Sequence, residues 1–201
     1  MLDAAARRLI DPPLNAVGRR LAARGITANG VTLVGLALGI LAAVTIALGA
    51  AGWALVPLLA SRLADGLDGA VARATRKTDF GGYLDIWADF LFYGAVPFAF
   101  ALADPANATA AAFLLLSFYV NGTSFLGFAA MAGKRGLETT AQGSKSLYYS
   151  SGLLEGTETI AFFVLLCLAP AWFVPLAFGF GVLCLVTATA RVLNARNILT
   201  D

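Results

Sequence analysis

Histidine is absent from the 201 residues. The commonest general base and metal ligand is therefore missing, and any base or metal ligand has to be a carboxylate. Cysteine is almost as scarce: Cys167 and Cys184 are the two copies, and each lies in an apolar run. Neither makes a disulfide framework or a metal-binding spacing, so both read as inert apolar side chains. Charge is short as well, at 13% of residues against 59% hydrophobic. That balance excludes a soluble globular domain and points to a membrane protein. The net charge of +2 gives no ground for a nucleic-acid partner. Internal repeats, low-complexity tracts and a second domain are all missing.

What charge there is has a pattern. Residues 1–26 mix Arg7, Arg8, Arg19, Arg20 and Arg24 with Leu2, Leu9, Ile10, Leu14, Val17 and Leu21. Pro12-Pro13 suggests the start of a short helix, with Leu14, Val17 and Leu21 on one stripe. The apolar run is too interrupted for a secretory signal, so this segment reads as an amphipathic helix lying on the membrane surface. Residues 27–201 then hold six apolar stretches, near 31–50, 53–73, 82–103, 108–132, 151–169 and 172–191. Each has about the 20 residues that a membrane-crossing helix needs. The fold class expected is all-α integral membrane: six transmembrane helices preceded by an interfacial one.

The linkers near 50–52, 104–107 and 169–171 contain no Lys or Arg, whereas every basic residue except Arg62 lies in the opposite loops and tails. By the positive-inside rule both termini face the cytoplasm, in the cell's inner (plasma) membrane. Gly35-xxx-Gly39 in the first span has the spacing that lets helices approach closely, for packing within the chain or in a homodimer.

Four aspartates interrupt this apolar chain. Asp65 and Asp68 are spaced i, i+3, and Asp85 and Asp89 i, i+4, so each pair shares a helix face. Both pairs fall in the cytoplasmic part of the bilayer on consecutive antiparallel spans. Asp65 lies roughly 18 Å along its helix from Trp53, and Asp89 roughly 12 Å from Gly81. Ionised carboxylates there require compensation, and hard oxygen ligands suit Mg²⁺ or Mn²⁺. Gly66 and Gly69 clear room beside the carboxylates, and Arg73, one turn on, suits a phosphate group.

Asp-x-x-Asp-Gly-x-x-Ala-Arg followed by Gly-x-x-x-Asp-x-x-x-Asp resembles the signature of the class I CDP-alcohol phosphotransferases. Here it is Asp65, Asp68, Gly69, Ala72, Arg73, Gly81, Asp85 and Asp89, with every fixed position filled. Thr27-Ala-Asn29-Gly-Val-Thr32 is similar to the family's Pro-Asn-x-x-Thr entry to the first span, with Ala28 in place of Pro. The resemblance implies integral-membrane enzymes that make phospholipids by displacing CMP from a CDP-linked donor such as CDP-diacylglycerol. It implies two divalent cations, with Asp65 and Asp85 touching both, Asp68 completing one site and Asp89 the other. Asp89 would also be the catalytic base. Gly69, Arg73, Thr78 and Asn29 would hold the CDP part of the donor.

The acceptor, a small alcohol or a lipid, is written less clearly. Lys134, Arg135, Lys145 and Arg191 would suit a phosphorylated acceptor, although positive-inside topology asks for the same residues. Glu155 and Glu158 share a face at the start of the fifth span, where they would suit a cationic or polyhydroxyl acceptor or pair with Lys145 or Arg191. The alternative from another class is a divalent-cation transporter or channel. Its sites usually lie near the midplane on broken helices, and a passing cation leaves Arg73 without a role.

Overall fold

The computed structural model describes residues 3–136 and 156–200, and every regular element among them is helical. In chain order these are α1 (Asp3–Ala23), α2 (Ala28–Ala47), α3 (Ala51–Ala74), α4 (Asp79–Ala103), α5 (Ala108–Lys134), α6 (Gly156–Leu168) and α7 (Phe173–Leu199). Short 3₁₀ turns, Pro105–Asn107 and Pro170–Trp172, lead into α5 and α7.

Local chemistry sets the boundaries. Gly25 and Gly49 adopt φ of 78° and 80°, a region costly for residues with a Cβ, and so end α1 and α2 in tight turns. Thr27 and Thr78 cap α2 and α4: each side-chain oxygen accepts a hydrogen bond from the backbone N–H three residues on, at 3.2 and 3.0 Å. These caps start both helices three residues before the apolar runs do. At the far end α7 runs to Leu199, past the apolar stretch that closes near Arg191. A helix can continue into polar sequence, so hydropathy marks the span and not the helix.

α1 differs from expectation. It runs through Pro12 and Pro13 instead of starting at them. Proline's fixed φ is helical, and its cost is the missing N–H to the carbonyl four residues back. The face that packs on α3 is also shifted: Leu14 and Gly18 are buried, whereas Val17 is exposed. Gly18 is required there, because a Cβ would stand 2.8 Å from the carbonyl carbon of Ala70.

Four segments are long and apolar enough to cross a membrane: Ala28–Ala47, Asp79–Ala103, Pro105–Lys134 and Pro170–Leu199. α3, at 24 residues, has the length but carries Arg62, Asp65, Asp68 and Arg73. α6 is described over 13 residues, and the start of the expected 151–169 span lies outside the described residues. α2 packs against both α3 and α4, α5 pairs with α7 and with α4, and α6 lies against α3. Gly35 meets Ala64 and Ser61 of α3, and Gly39 meets Ser61 and Phe92, so this small-residue face packs within the chain.

The apolar core is gathered at one end of the bundle. It takes the later halves of α2, α4 and α6 (Ile46, Phe100, Leu166) and the earlier halves of α3, α5 and α7 (Ala54, Leu114, Phe173), and reaches Phe92 in the middle of α4. Phe100 stacks on Phe173 with centroids 4.6 Å apart, and Phe162 on Phe180 at 4.0 Å. The outer surface stays apolar, with Leu33, Val34, Val56, Leu116, Val182 and Val192 exposed, as lipid requires. Because the helices alternate in direction, the opposite end collects the polar residues.

Candidate active site

At that polar end the second half of α3 faces the first half of α4. Asp65, Asp68 and Asp85 each offer a carboxylate oxygen, and the three atoms lie within 4.8 Å of one another. Asp68 is the deepest, at 6% exposure. Its Oδ2 accepts a 2.7 Å hydrogen bond from the Thr32 hydroxyl of α2, which fixes the carboxylate's orientation. Three carboxylates at this spacing repel one another unless a cation lies among them, and all-oxygen donors suit a hard divalent ion. The residues present therefore fit such an ion.

Asp89, one turn along α4, is engaged differently. Its Oδ1 accepts a 2.8 Å hydrogen bond from Nη1 of Arg62, and the same nitrogen lies 3.7 Å from Oδ1 of Asp65. The guanidinium also donates through Nη2 to Ser61 Oγ at 3.0 Å and lies 4.0 Å above the Phe92 ring. The structure thus brings three of the four aspartates together and sets the fourth on an arginine.

The residues expected to hold the CDP donor fall at the helix ends beside this cluster. Arg73, in the last turn of α3, donates from Nε to Asn15 Oδ1 of α1 at 3.0 Å. A Cβ on Gly69 would stand 3.3 Å from Arg73 Nη1, so the glycine leaves the guanidinium room. Thr78 uses its hydroxyl as the α4 cap. Asn29 reaches across from α2, its Oδ1 lying 3.2 Å from where a Cβ on Gly81 would stand.

The acceptor candidates are more dispersed. Arg191 is buried on α7, and its Nη1 donates to the Asn121 carbonyl, Asn121 Oδ1 and Ser124 Oγ of α5 at 3.1, 2.9 and 2.7 Å. Arg135 donates to the Leu199 carbonyl at 2.7 Å, two turns further along α7, so the two guanidiniums are spread along the α5–α7 seam. Lys134 is exposed in the last turn of α5, and Glu158 lies half-buried in the first turn of α6. Lys145 and Glu155 lie outside the described residues.

The sequence pattern assigns no role to Arg62, Ser61, Thr32 or Asn15. Arg62 had a signal: it is the one basic residue that breaks the loop pattern, and it stands i, i+3 from Asp65. Thr32 stands in the motif that opens α2. Nothing in the sequence pairs Asn15 with Arg73, because that contact depends on how α1 docks.

Residues 25–194 match the CDP-alcohol phosphatidyltransferase family. The chain is 52% identical over 193 residues to "Inner membrane protein YnjF" of Escherichia coli strain K12, covering 96% of this chain and 94% of that one. Over 97 residues it is 38% identical to archaetidylinositol phosphate synthase of Pyrococcus horikoshii, which covers 48% of this chain and 52% of the other. It shares its fold with Mycobacterium tuberculosis phosphatidylinositol phosphate synthase, solved with CDP-DAG bound. The TM-score is 0.63 at 23% identity, over 92% of this chain and 91% of that one.

Proposed function

The chain belongs to the CDP-alcohol phosphatidyltransferase family and is a transferase of substituted phosphate groups, and we propose that it moves a phosphatidyl group from CDP-diacylglycerol to an alcohol. The transporter alternative is set aside on that membership. The observation that carries the proposal is the convergence of Asp65, Asp68 and Asp85 beside a glycine-cleared Arg73. In the reaction the acceptor oxygen bonds to the phosphorus that bears diacylglycerol. The pyrophosphate P–O bond breaks, CMP leaves, and the acceptor's proton passes to Asp89. Asp65, Asp68 and Asp85 would hold one divalent ion, and Asp65, Asp85 and Asp89 a second. Mg²⁺ or Mn²⁺ bound there supplies charge neutralisation for the phosphates and acidifies the acceptor hydroxyl. Arg73 binds the donor phosphate as a fixed charge, with Gly69 admitting it and Asn29 and Thr78 at the adjoining helix ends.

Six spans carry this site in our reading, with α3 and α6 completing the four segments named above, and both termini and the aspartates on the cytoplasmic side. For the acceptor we favour a phosphorylated alcohol, such as inositol phosphate or glycerol phosphate. Support comes from the basic residues of the α5–α7 seam and from two similar proteins that are inositol phosphate lipid synthases. The test is CMP release by the purified protein from radiolabelled CDP-diacylglycerol with Mg²⁺ or Mn²⁺. The acceptor panel is serine, glycerol phosphate, inositol, inositol phosphate and phosphatidylglycerol. Turnover with a phosphorylated acceptor supports the reading, turnover with serine or inositol overturns the acceptor class, and no turnover with any acceptor overturns the transferase assignment to this donor.

A further inference from the structure

Arg62 is the least expected charge in the molecule. It lies inside α3, with its side chain only 9% exposed, and it joins α3 to α4 directly and to α2 through Ser61. Nη1 is shared between Asp89 of α4 and Asp65 of α3. Nη2 is held by Ser61 Oγ, which itself donates a 2.7 Å hydrogen bond to the Gly35 carbonyl of α2. The flat face rests on Phe92 of α4, a favourable position for a guanidinium. A side chain fastened at this many points has one low-energy position, and that position is against the carboxylates.

We propose that Arg62 is a built-in counter-cation that competes with a divalent ion for Asp65 and Asp89. This rests on the divalent-ion reading of the aspartate cluster given above. Asp65, Asp68 and Asp85 converge on one another, whereas Asp89 is covered by a cation already in the chain. The two parts of the site therefore differ in affinity. An ion held by the three converging carboxylates binds first. Recruitment of Asp89 to a further ion either displaces Nη1 from Oδ1, breaking a 2.8 Å bond, or uses Oδ2 beside the guanidinium, and in both cases the positive charge nearby opposes the ion directly. The device keeps the carboxylates together when divalent ion is scarce. Arg62 is a positioning residue in this account: it acts through Asp89 and touches no substrate.

Mn²⁺ binding to the purified full-length protein in detergent, followed by the loss of the free-ion electron paramagnetic resonance signal, tests this without turnover. The wild-type protein should bind Mn²⁺ in a tighter and a weaker phase. Arg62→Gln should move the weaker phase to about tenfold lower Mn²⁺ or beyond, since it removes a unit charge beside the ion. It should also lower the melting temperature of the metal-free protein. Arg62→Lys, which keeps the charge, should stay near wild type. Ser61→Ala, a small change that only loosens the arginine's hold, should shift the weaker phase in the same direction by about two- to threefold, and it decides the matter if Arg62→Gln does not fold. Unchanged or weaker Mn²⁺ binding in both Arg62→Gln and Ser61→Ala overturns the role of Arg62 and leaves the metal site standing. A raised KM for CDP-diacylglycerol with unaltered Mn²⁺ binding also overturns it, since Arg62 would then bind substrate. No Mn²⁺ binding by the wild-type protein overturns the metal site and this inference together.

Discussion

Asp68 and Asp89 meet the same problem, a carboxylate inside an apolar bundle, with different partners. Asp68 takes a hydroxyl from Thr32, and Asp89 takes a guanidinium from Arg62. The hydroxyl orients its carboxylate without neutralising it, so Asp68 stays available to a cation. Thr32→Val keeps the side chain's shape and removes that donor. Mn²⁺ binding should weaken about 10- to 100-fold, the usual effect of losing a group that orients a metal ligand, measured by titration against the wild type. Asp85→Asn tests the cluster itself. It removes one charge from three crowded carboxylates, so the metal-free protein should melt no lower than wild type, while turnover falls by about 10²-fold or more. Activity near wild type for Asp85→Asn would overturn the catalytic reading of the cluster.

At the scale of elements, α1 and the α5–α7 seam show what the sequence could and could not tell. The aspartate spacings gave both halves of the cluster, because i, i+3 and i, i+4 patterns are properties of one helix. Contacts across helices were legible only where a pattern marks the face, as Gly35-xxx-Gly39 does; a single small residue that admits a neighbour carries no such mark. Gly18 of α1 is the clearest case: its value lies in a missing Cβ beneath Ala70. Gly18→Ala should separate α1 from α3 at a cost of about 1–3 kcal/mol, as for other overpacked contacts. It should also release Asn15 from Arg73, so the KM for CDP-diacylglycerol should change while Mn²⁺ binding does not. Thermal unfolding and Mn²⁺ titration together check both halves of that outcome. On the seam, basic residues in sequence fit either topology or an anion pocket. The structure adds a third role for Arg191, which braces α5 through Asn121 and Ser124. Arg191→Leu should therefore lower the melting temperature as well as alter acceptor KM, whereas Lys134→Ala, on an exposed turn, should leave stability unchanged.

Across the whole molecule, alternating helix direction accounts for the separation of core and site. α3 and α4 are apolar toward one end of the bundle and bear their charges toward the other, so antiparallel packing collects Phe100, Phe163 and Phe173 at the apolar end, with Phe92 at the boundary beneath Arg62. Exposed Trp53 and Trp172 lie at the core end and Tyr83 and Trp87 at the site end, where amphipathic rings favour the two membrane interfaces. The same arrangement makes a testable statement about sidedness. Ala106 precedes α5 and Gly133 lies in its last turn; both are exposed, and a Cβ on Gly133 meets nothing within 4 Å. Single cysteines at these two positions, with Cys167 and Cys184 replaced by alanine, should react with a membrane-impermeant thiol reagent from opposite faces. Ala106→Cys should label in intact cells and Gly133→Cys in inverted vesicles, because Lys134 and Arg135 follow Gly133 and basic loops stay in the cytoplasm. Labelling of both from one face would mean that α5 does not cross the bilayer. Labelling from opposite faces in the reverse order would put the aspartates on the wrong side for a cytoplasmic CDP-linked donor.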